Sequence, residues 1–143
     1  MLVSTKGRYA LRVIIDLAEH RSQGYVPLKD IAARQGISEK YLESILKILV
    51  GGRMVVGLRG KGGGYRLTRE PEEYTVGQII RLTEDSMSPV ACLEPDSGEC
   101  PHLAACRTVA MWRELDTLIN NYLDGVSVAD LAVNPQIGND YVI

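Results

Sequence analysis

Leu28-Lys29-Asp30-Ile31-Ala32-Ala33-Arg34-Gln35-Gly36-Ile37-Ser38-Glu39-Lys40-Tyr41-Leu42-Glu43-Ser44-Ile45-Leu46-Lys47-Ile48-Leu49 is the stretch on which the fold turns, and it divides at Gly36. Before the glycine, Leu28, Ile31 and Ala32 take the i, i+3, i+4 spacing of one buried helix face, which predicts a helix over 28–35. Gly36 stands just past its end, where a left-handed residue is wanted. After it, Ser38 suits the N-cap of a second helix and Glu39 the positive end of that helix's dipole. Tyr41, Leu42, Ile45, Leu46 and Leu49 form an apolar face, and Glu39, Lys40, Glu43, Ser44 and Lys47 lie opposite. Gly51-Gly52 stops the run. Two helices joined by a tight glycine-containing turn make the helix-turn-helix pattern.

The flanks complete the unit. Upstream, Ala10, Val13, Ile14, Leu17 and Ala18 predict an amphipathic helix over 7–22, closed by Gly24 and followed by a short extended piece, Tyr25-Val26-Pro27. Downstream, Met54-Val55-Val56 and Tyr65-Arg66-Leu67 can pair as strands around Gly57-Leu58-Arg59-Gly60-Lys61-Gly62-Gly63-Gly64. This is a β-hairpin with a basic, glycine-rich tip, a wing. The glycines do not make a nucleotide-binding loop: Tyr65 stands where G-x-G-x-x-G needs its last glycine, and no Lys-Ser/Thr ending follows. A bare mobile tip would need no charge, whereas Arg59 and Lys61 can reach phosphates or a minor groove.

Beyond the wing, Thr75 and Gln78 form a capping box for a helix over 76–84. Residues 86–104, rich in Ser, Pro, Gly, Asp and Glu, read as a loop; loops this long are usually functional or disordered. A long helix is predicted over 104–124, with Val109, Trp112, Leu115, Ile119 and Tyr122 spaced as a helix–helix seam. The seam can serve its own domain or a second copy, and paired DNA half-sites favour the second copy. A last short helix follows, Ser127 to about Val133, capped by Ser127 and Asp130, before an exposed end, Asp140-Tyr141-Val142-Ile143. The fold class is therefore mainly α with a small β-hairpin: a winged helix-turn-helix plus a long dimerisation helix. The expected division is 1–84 for DNA binding, 85–103 as a cysteine-containing sensor loop, and 104–143 as dimerisation helix and tail.

Composition agrees. The 143 residues, 45% apolar, suit a globular protein of one ordinary domain or a small domain with an arm. Met1 to Arg8 lacks the apolar core of a signal peptide and no run reaches membrane-span length, so a cytoplasmic protein is expected. The net charge of −2 conceals a segregation. Residues 1–66 carry 12 Lys/Arg against 5 Asp/Glu (+7), and residues 67–143 carry 4 against 13 (−9). The first half is suited to meet a polyanion. No nucleophile–base pair or cofactor motif is evident and only two histidines are present, which argues against an enzyme. The basic first half and the wing argue against a purely protein-binding module. The odd number of cysteines, Cys92, Cys100 and Cys106, all within fifteen residues, argues against a disulfide framework. Thiolates at C-x7-C-x5-C suit zinc or an iron–sulfur cluster; the C-x2–4-C pairs usual for zinc are missing, and three free thiols are the plain alternative.

These motifs together resemble the Rrf-type (Rrf-two) family of bacterial winged-helix transcription regulators. The opening Ser4-Thr5-Lys6-Gly7-Arg8-Tyr9-Ala10, the helix at Ile37–Glu43, the wing Gly57–Tyr65, Val76-Gly77-Gln78-Ile79-Ile80 and the three cysteines carry the likeness over nearly the whole chain. The resemblance implies a homodimer with crossing long helices and double-stranded DNA as partner, acting as a repressor. In members like IscR and NsrR it implies an iron–sulfur cluster, here 2Fe–2S, on Cys92, Cys100 and Cys106, and control of cluster-biogenesis genes. The expected DNA contacts are Ser38, Glu39, Lys40, Tyr41, Glu43, Ser44, Lys47, Arg59 and Lys61.

The fourth cluster ligand departs from the family. IscR-like members have a His three residues after the third Cys, where this chain has Val109; NsrR-like members use an acidic residue where this chain has Arg8. The remaining candidates are His102, Glu94, Asp96 and Glu99, or an exogenous thiol or water. Ser88 to Glu94 also resembles CymR-like members, which lack the cysteine triad and act with cysteine synthase. The terminal Ile143 fits that alternative, in which the tail binds cysteine synthase and the regulated genes serve cysteine metabolism.

Overall fold

The computed structural model describes residues 3–133. Helix α1, Thr5–Glu19, begins at Ser4, whose hydroxyl accepts a hydrogen bond from the Gly7 amide at 3.1 Å. The helix predicted over 7–22 is shorter at its far end: Arg21–Gln23 tightens into a 3-10 turn, as last turns often do. Helix α2, Leu28–Gln35, closes on Gly36 at φ 65°, the left-handed conformation its position calls for. Helix α3, Glu39–Gly51, starts at Ser38, whose hydroxyl accepts from the Tyr41 amide.

Three helix faces meet in one core. Val13, Ile14 and Leu17 of α1, Ile31 of α2, and Leu42, Ile45, Leu46 and Leu49 of α3 are fully or almost fully buried together. Each such side chain contributes roughly 1.5–3 kcal/mol of burial. One carboxylate lies among them. Asp16, 1% exposed, accepts from Arg34 Nε and Nη2 at 2.9 and 2.8 Å and from Gln35 Nε2 at 2.9 Å. This two-pronged pair pins the end of α2 to α1 and sets the angle at which the turn delivers α3.

Strands β1, Val55–Leu58, and β2, Gly64–Leu67, pair antiparallel with Val55 opposite Leu67. β1 starts one residue later and runs two residues further than Met54–Val56, because Met54 is drawn into the core instead. Val26 adds a third partner through two backbone bonds to Tyr65, at 2.8 and 2.9 Å. The contact depends on Gly64: its φ is 148°, and any side chain there would strike the Val26 carbonyl. Tyr74 locks the base of the hairpin. Its ring is buried, and its hydroxyl donates to the Met54 carbonyl at 2.6 Å while accepting from the Thr68 and Arg69 amides.

Helix α4, Val76–Thr83, carries the Thr75/Gln78 capping box. The next residue, Glu84, accepts from both the amide and the hydroxyl of Ser4 through one oxygen, at 2.9 and 2.6 Å. The end of α4 is thus tied to the start of α1. The following loop contains two 3-10 turns, Ala91–Leu93 and Leu103–Ala105. Helix α5, Val109–Asp124, begins five residues later than 104, since the second turn ends on an extended Cys106 and the chain re-enters helix only after Thr108.

No residue of α5 is buried. Its last turns are held to α4 by Arg81, which donates to Asp124 at 2.7 and 2.9 Å and to Asn120 at 2.8 Å. Leu123 and Val126 pack on Val76, Ile80 and Met87. Helix α6, Val128–Leu131, carries the Ser127/Asp130 capping box and returns to the core formed by α1, α2 and α3. Val128 is fully buried in the main core, and its amide donates to the Tyr74 carbonyl at 2.9 Å. The tail ending in Ile143 lies outside the described residues.

Candidate DNA interface and cysteine site

Four buried leucines and isoleucines on α3 hold its opposite face outward. Ser38, Glu39, Lys40, Glu43, Ser44 and Lys47 are all exposed there. Tyr41 is half-buried, with its ring edge-on to Tyr9 at 5.9 Å, and Arg12 stacks over Tyr9 at 4.9 Å. The two serines differ in what they can offer a ligand. Ser38 accepts from the Tyr41 amide and keeps its proton to give, whereas Ser44 spends its proton on the Tyr41 carbonyl at 2.6 Å and presents lone pairs. Arg59 and Lys61 are exposed at the wing tip. The structure thus places seven of the nine sequence-predicted residues on α3 and its N-cap and two, Arg59 and Lys61, at the wing tip. The braces beneath them, Asp16–Arg34 and Tyr74, were missed by sequence reading.

The cysteines lie elsewhere, between α4 and α5. Cys92, Cys100 and Cys106 line one cavity of about 110 Å³, together with Glu99 and the first turns of α5 at Val109 and Arg113. His102 is exposed and does not line it; neither do Glu94 and Asp96. Cys92 and Cys106 are exposed and Cys100 is half-buried; all three are free thiols. Among the described residues, no three His, Cys, Asp or Glu side chains are gathered closely enough to hold a single metal ion. A two-iron cluster shares its ligands between two metals, so it does not require such convergence. The cavity also has room for more than one atom. The donor set, three soft thiols lining one cavity, fits an iron–sulfur cluster.

The Cys106 thiol is held below the ordinary thiol pKa. The Thr108 hydroxyl, 3.6 Å from its Sγ, is the main cause; the Thr108 and Val109 amides at the mouth of α5 and the charge of Arg113 act the same way. A lowered pKa means more thiolate at neutral pH. In metal-free protein, iodoacetamide is therefore expected to alkylate Cys106 at a lower pH midpoint than an ordinary thiol, and Thr108→Val should move that midpoint up. Peptide mapping across a pH series checks it, and an unmoved midpoint in the variant would refute the assignment.

The predicted seam on α5 is divided. Val109, Trp112 and Ile119 are half-buried, while Leu115 and Tyr122 are exposed, Tyr122 at 72%. Met111 and Leu118, outside the predicted seam, are also exposed, at 52% and 59%. Val3, Leu118, Ile119, Tyr122 and Leu123 line an open apolar groove of about 410 Å³.

A braced helix-turn-helix, a basic wing and a long helix without a buried residue define the class of winged-helix DNA-binding regulators. Residues 3–134 match the family described as Rrf2, iron-dependent transcriptional regulator. The chain is 39% identical over 137 residues to the HTH-type transcriptional regulator IscR of Aliivibrio salmonicida, covering 96% of this chain and 80% of that protein. It is 36% identical to IscR of Sodalis glossinidius over the same share of this chain and 82% of that one. Among solved structures, T. potens IscR superposes with a TM-score of 0.73 at 37% identity, over 92% of this chain and 85% of that one. CymR, the global cysteine regulator of B. subtilis, superposes with a TM-score of 0.76, also at 37% identity, over 92% and 96%. The protein belongs to the Rrf2 family: it is a DNA-binding transcription regulator of the IscR type, and proteins of this family are not enzymes. Among the described residues, no helix is long and apolar enough to cross a membrane.

Proposed function

We propose that this regulator is a cytoplasmic homodimeric repressor that senses iron–sulfur cluster status through Cys92, Cys100 and Cys106 and controls cluster-biogenesis genes. The observation that carries the reading is the single cavity lined by all three thiols at the mouth of α5. The iron-dependent description of the family and the IscR relatives support it. In this reading the functional segments are 1–84 for DNA binding, 85–103 for sensing and 104–143 for dimerisation, a division for which the return of α6 to the main core supplies the link between the last and the first.

When bound, the cluster supplies an iron centre responsive to iron supply and oxidants, tying three points of the loop together. The chain's own contacts supply the transmission. α4, from which the loop departs, is tied in two directions: Glu84 at its end grips the start of α1, and Arg81 grips the last turns of α5 through Asp124 and Asn120. A change in loop order therefore biases where two DNA-binding domains stand relative to a shared α5 pair, the differential interaction a switch requires. Anaerobic reconstitution of wild type and of the Cys92→Ala/Cys100→Ala/Cys106→Ala variant, with iron and sulfide counted per chain, tests the reading. Uptake by wild type alone is expected. Equal uptake sinks it and leaves the cysteine-regulator reading, with cysteine synthase as partner, for which the CymR superposition is the supporting observation.

In the DNA complex, α3 is proposed to enter the major groove. Lys40 and Lys47 meet phosphates, Arg59 and Lys61 support from the wing, and Ser38, Glu39, Tyr41, Glu43 and Ser44 face base edges. A carboxylate at Glu43 accepts from cytosine N4 and repels phosphate, so it contributes selection more than affinity. Glu43→Ala should narrow the gap between preferred and mismatched sites by about 1–3 kcal/mol with little loss on scrambled DNA. Titration of a site library reads this, and a uniform loss on every sequence would contradict it.

A further inference from the structure

Three thiolates leave a two-iron cluster one protein ligand short, and one carboxylate residue, Glu99, lines the cavity that the three cysteines line. Resting on the cluster proposed above, we infer that the Glu99 carboxylate is its fourth ligand. Val109 lines the same cavity but brings only a hydrocarbon wall. Arg8 is a cation, and its guanidinium donates to its own neighbour Thr5. Of the four loop candidates, His102, Glu94 and Asp96 lie off the cavity wall, and Glu99 is on it.

The local chain explains the placement. Gly98 adopts φ 70°, so the backbone turns at a residue without a side chain, and Gly98, Glu99 and Cys100 line the wall in succession. No other described residue engages the Glu99 carboxylate, so its lone pairs are free for a metal. Iron accepts carboxylate oxygen, and one iron of a two-iron cluster can carry ligands other than thiolate. Arg113, on the same wall, offsets the negative charge gathered by three thiolates and a carboxylate. The oxygen-bound iron is the weakly held one, which makes the cluster the exchangeable kind a sensor needs.

The test is anaerobic reconstitution of the full chain with ferrous iron and sulfide, followed by chelator challenge with EDTA. Wild type, Glu99→Gln, Glu99→Cys, and the controls Glu94→Gln, Asp96→Asn and His102→Ala are compared, with circular dichroism reporting the fold of each. Glu99→Gln should lose iron roughly tenfold faster or more, while the controls match wild type. Glu99→Cys should restore retention with a shifted visible spectrum. Pulsed paramagnetic resonance of the reduced wild-type cluster needs no variant and should show no strong nitrogen coupling. A Glu99→Gln cluster as durable as wild type, or strong nitrogen coupling, overturns the assignment of Glu99 while the cluster itself stands. If wild type takes up no iron, the cluster reading fails and the ligand falls with it.

Discussion

Leu118→Glu combined with Tyr122→Glu is expected to give a folded monomer whose affinity for a duplex selected by the wild-type protein falls at least about 10³-fold. Both side chains are exposed, so the substitutions leave the domain core untouched. They place two carboxylates in the apolar groove that Val3, Ile119 and Leu123 complete, the surface a second α5 is proposed to cover. Buried charges without partners cost far more than such a contact returns. Specific affinity then falls toward the non-specific level because only one half-site is engaged at a time. Sedimentation and a salt titration of DNA binding check the two parts. A variant that still sediments as a dimer, or a monomer that binds as tightly as wild type, would place the interface elsewhere on the chain.

Arg34→Ala is expected to destabilise the domain by about 3 kcal/mol, and Asp16→Asn by less. The asymmetry follows from burial. Asp16 is 1% exposed, so removing Arg34 leaves a buried carboxylate with Gln35 Nε2 as its remaining side-chain hydrogen bond and the His20 ring nitrogen 3.7 Å away. The Arg34 side chain is a third exposed and can turn to water when Asp16 is neutralised. The Asp16 pairing also holds the Arg34 guanidinium's pKa above its ordinary value, so the arginine remains charged at every working pH. Urea unfolding of the two variants separates these cases, and equal losses would show that the pair is worth little beyond its hydrogen bonds. Because the pair sets α2 against α1, Arg34→Ala should also weaken DNA binding before it unfolds the chain.

Much of the site was legible because it rests on local rules. The exposed stripe of α3 follows from a 3.6-residue period, and Gly36, Ser38, Thr75 and Ser127 act within one turn of where they stand. The cysteine triad stood out as a chemical cluster, but its neighbours did not. Glu94, Asp96, Glu99 and His102 are equivalent in sequence, and only the folded loop separates Glu99 from the others. The start of α5 was misplaced because residues 104–108 carry no helix breaker. Leu118 escaped because the seam counted from Val109 passes beside it.

The sequence by itself determined the helix-turn-helix, the wing and the charge segregation that points the first half at DNA, since periodicity, capping and glycine placement act over a few residues. Tertiary structure alone decided the long-range ties: Asp16 with Arg34, Tyr74 with Met54, Ser4 with Glu84, Val26 with Tyr65, and Val128 with the first domain's core. Each joins groups distant in the chain whose partners no local pattern specifies. A buried polar group takes whichever donor or acceptor the packed core brings within reach, and that choice exists only once the core has formed.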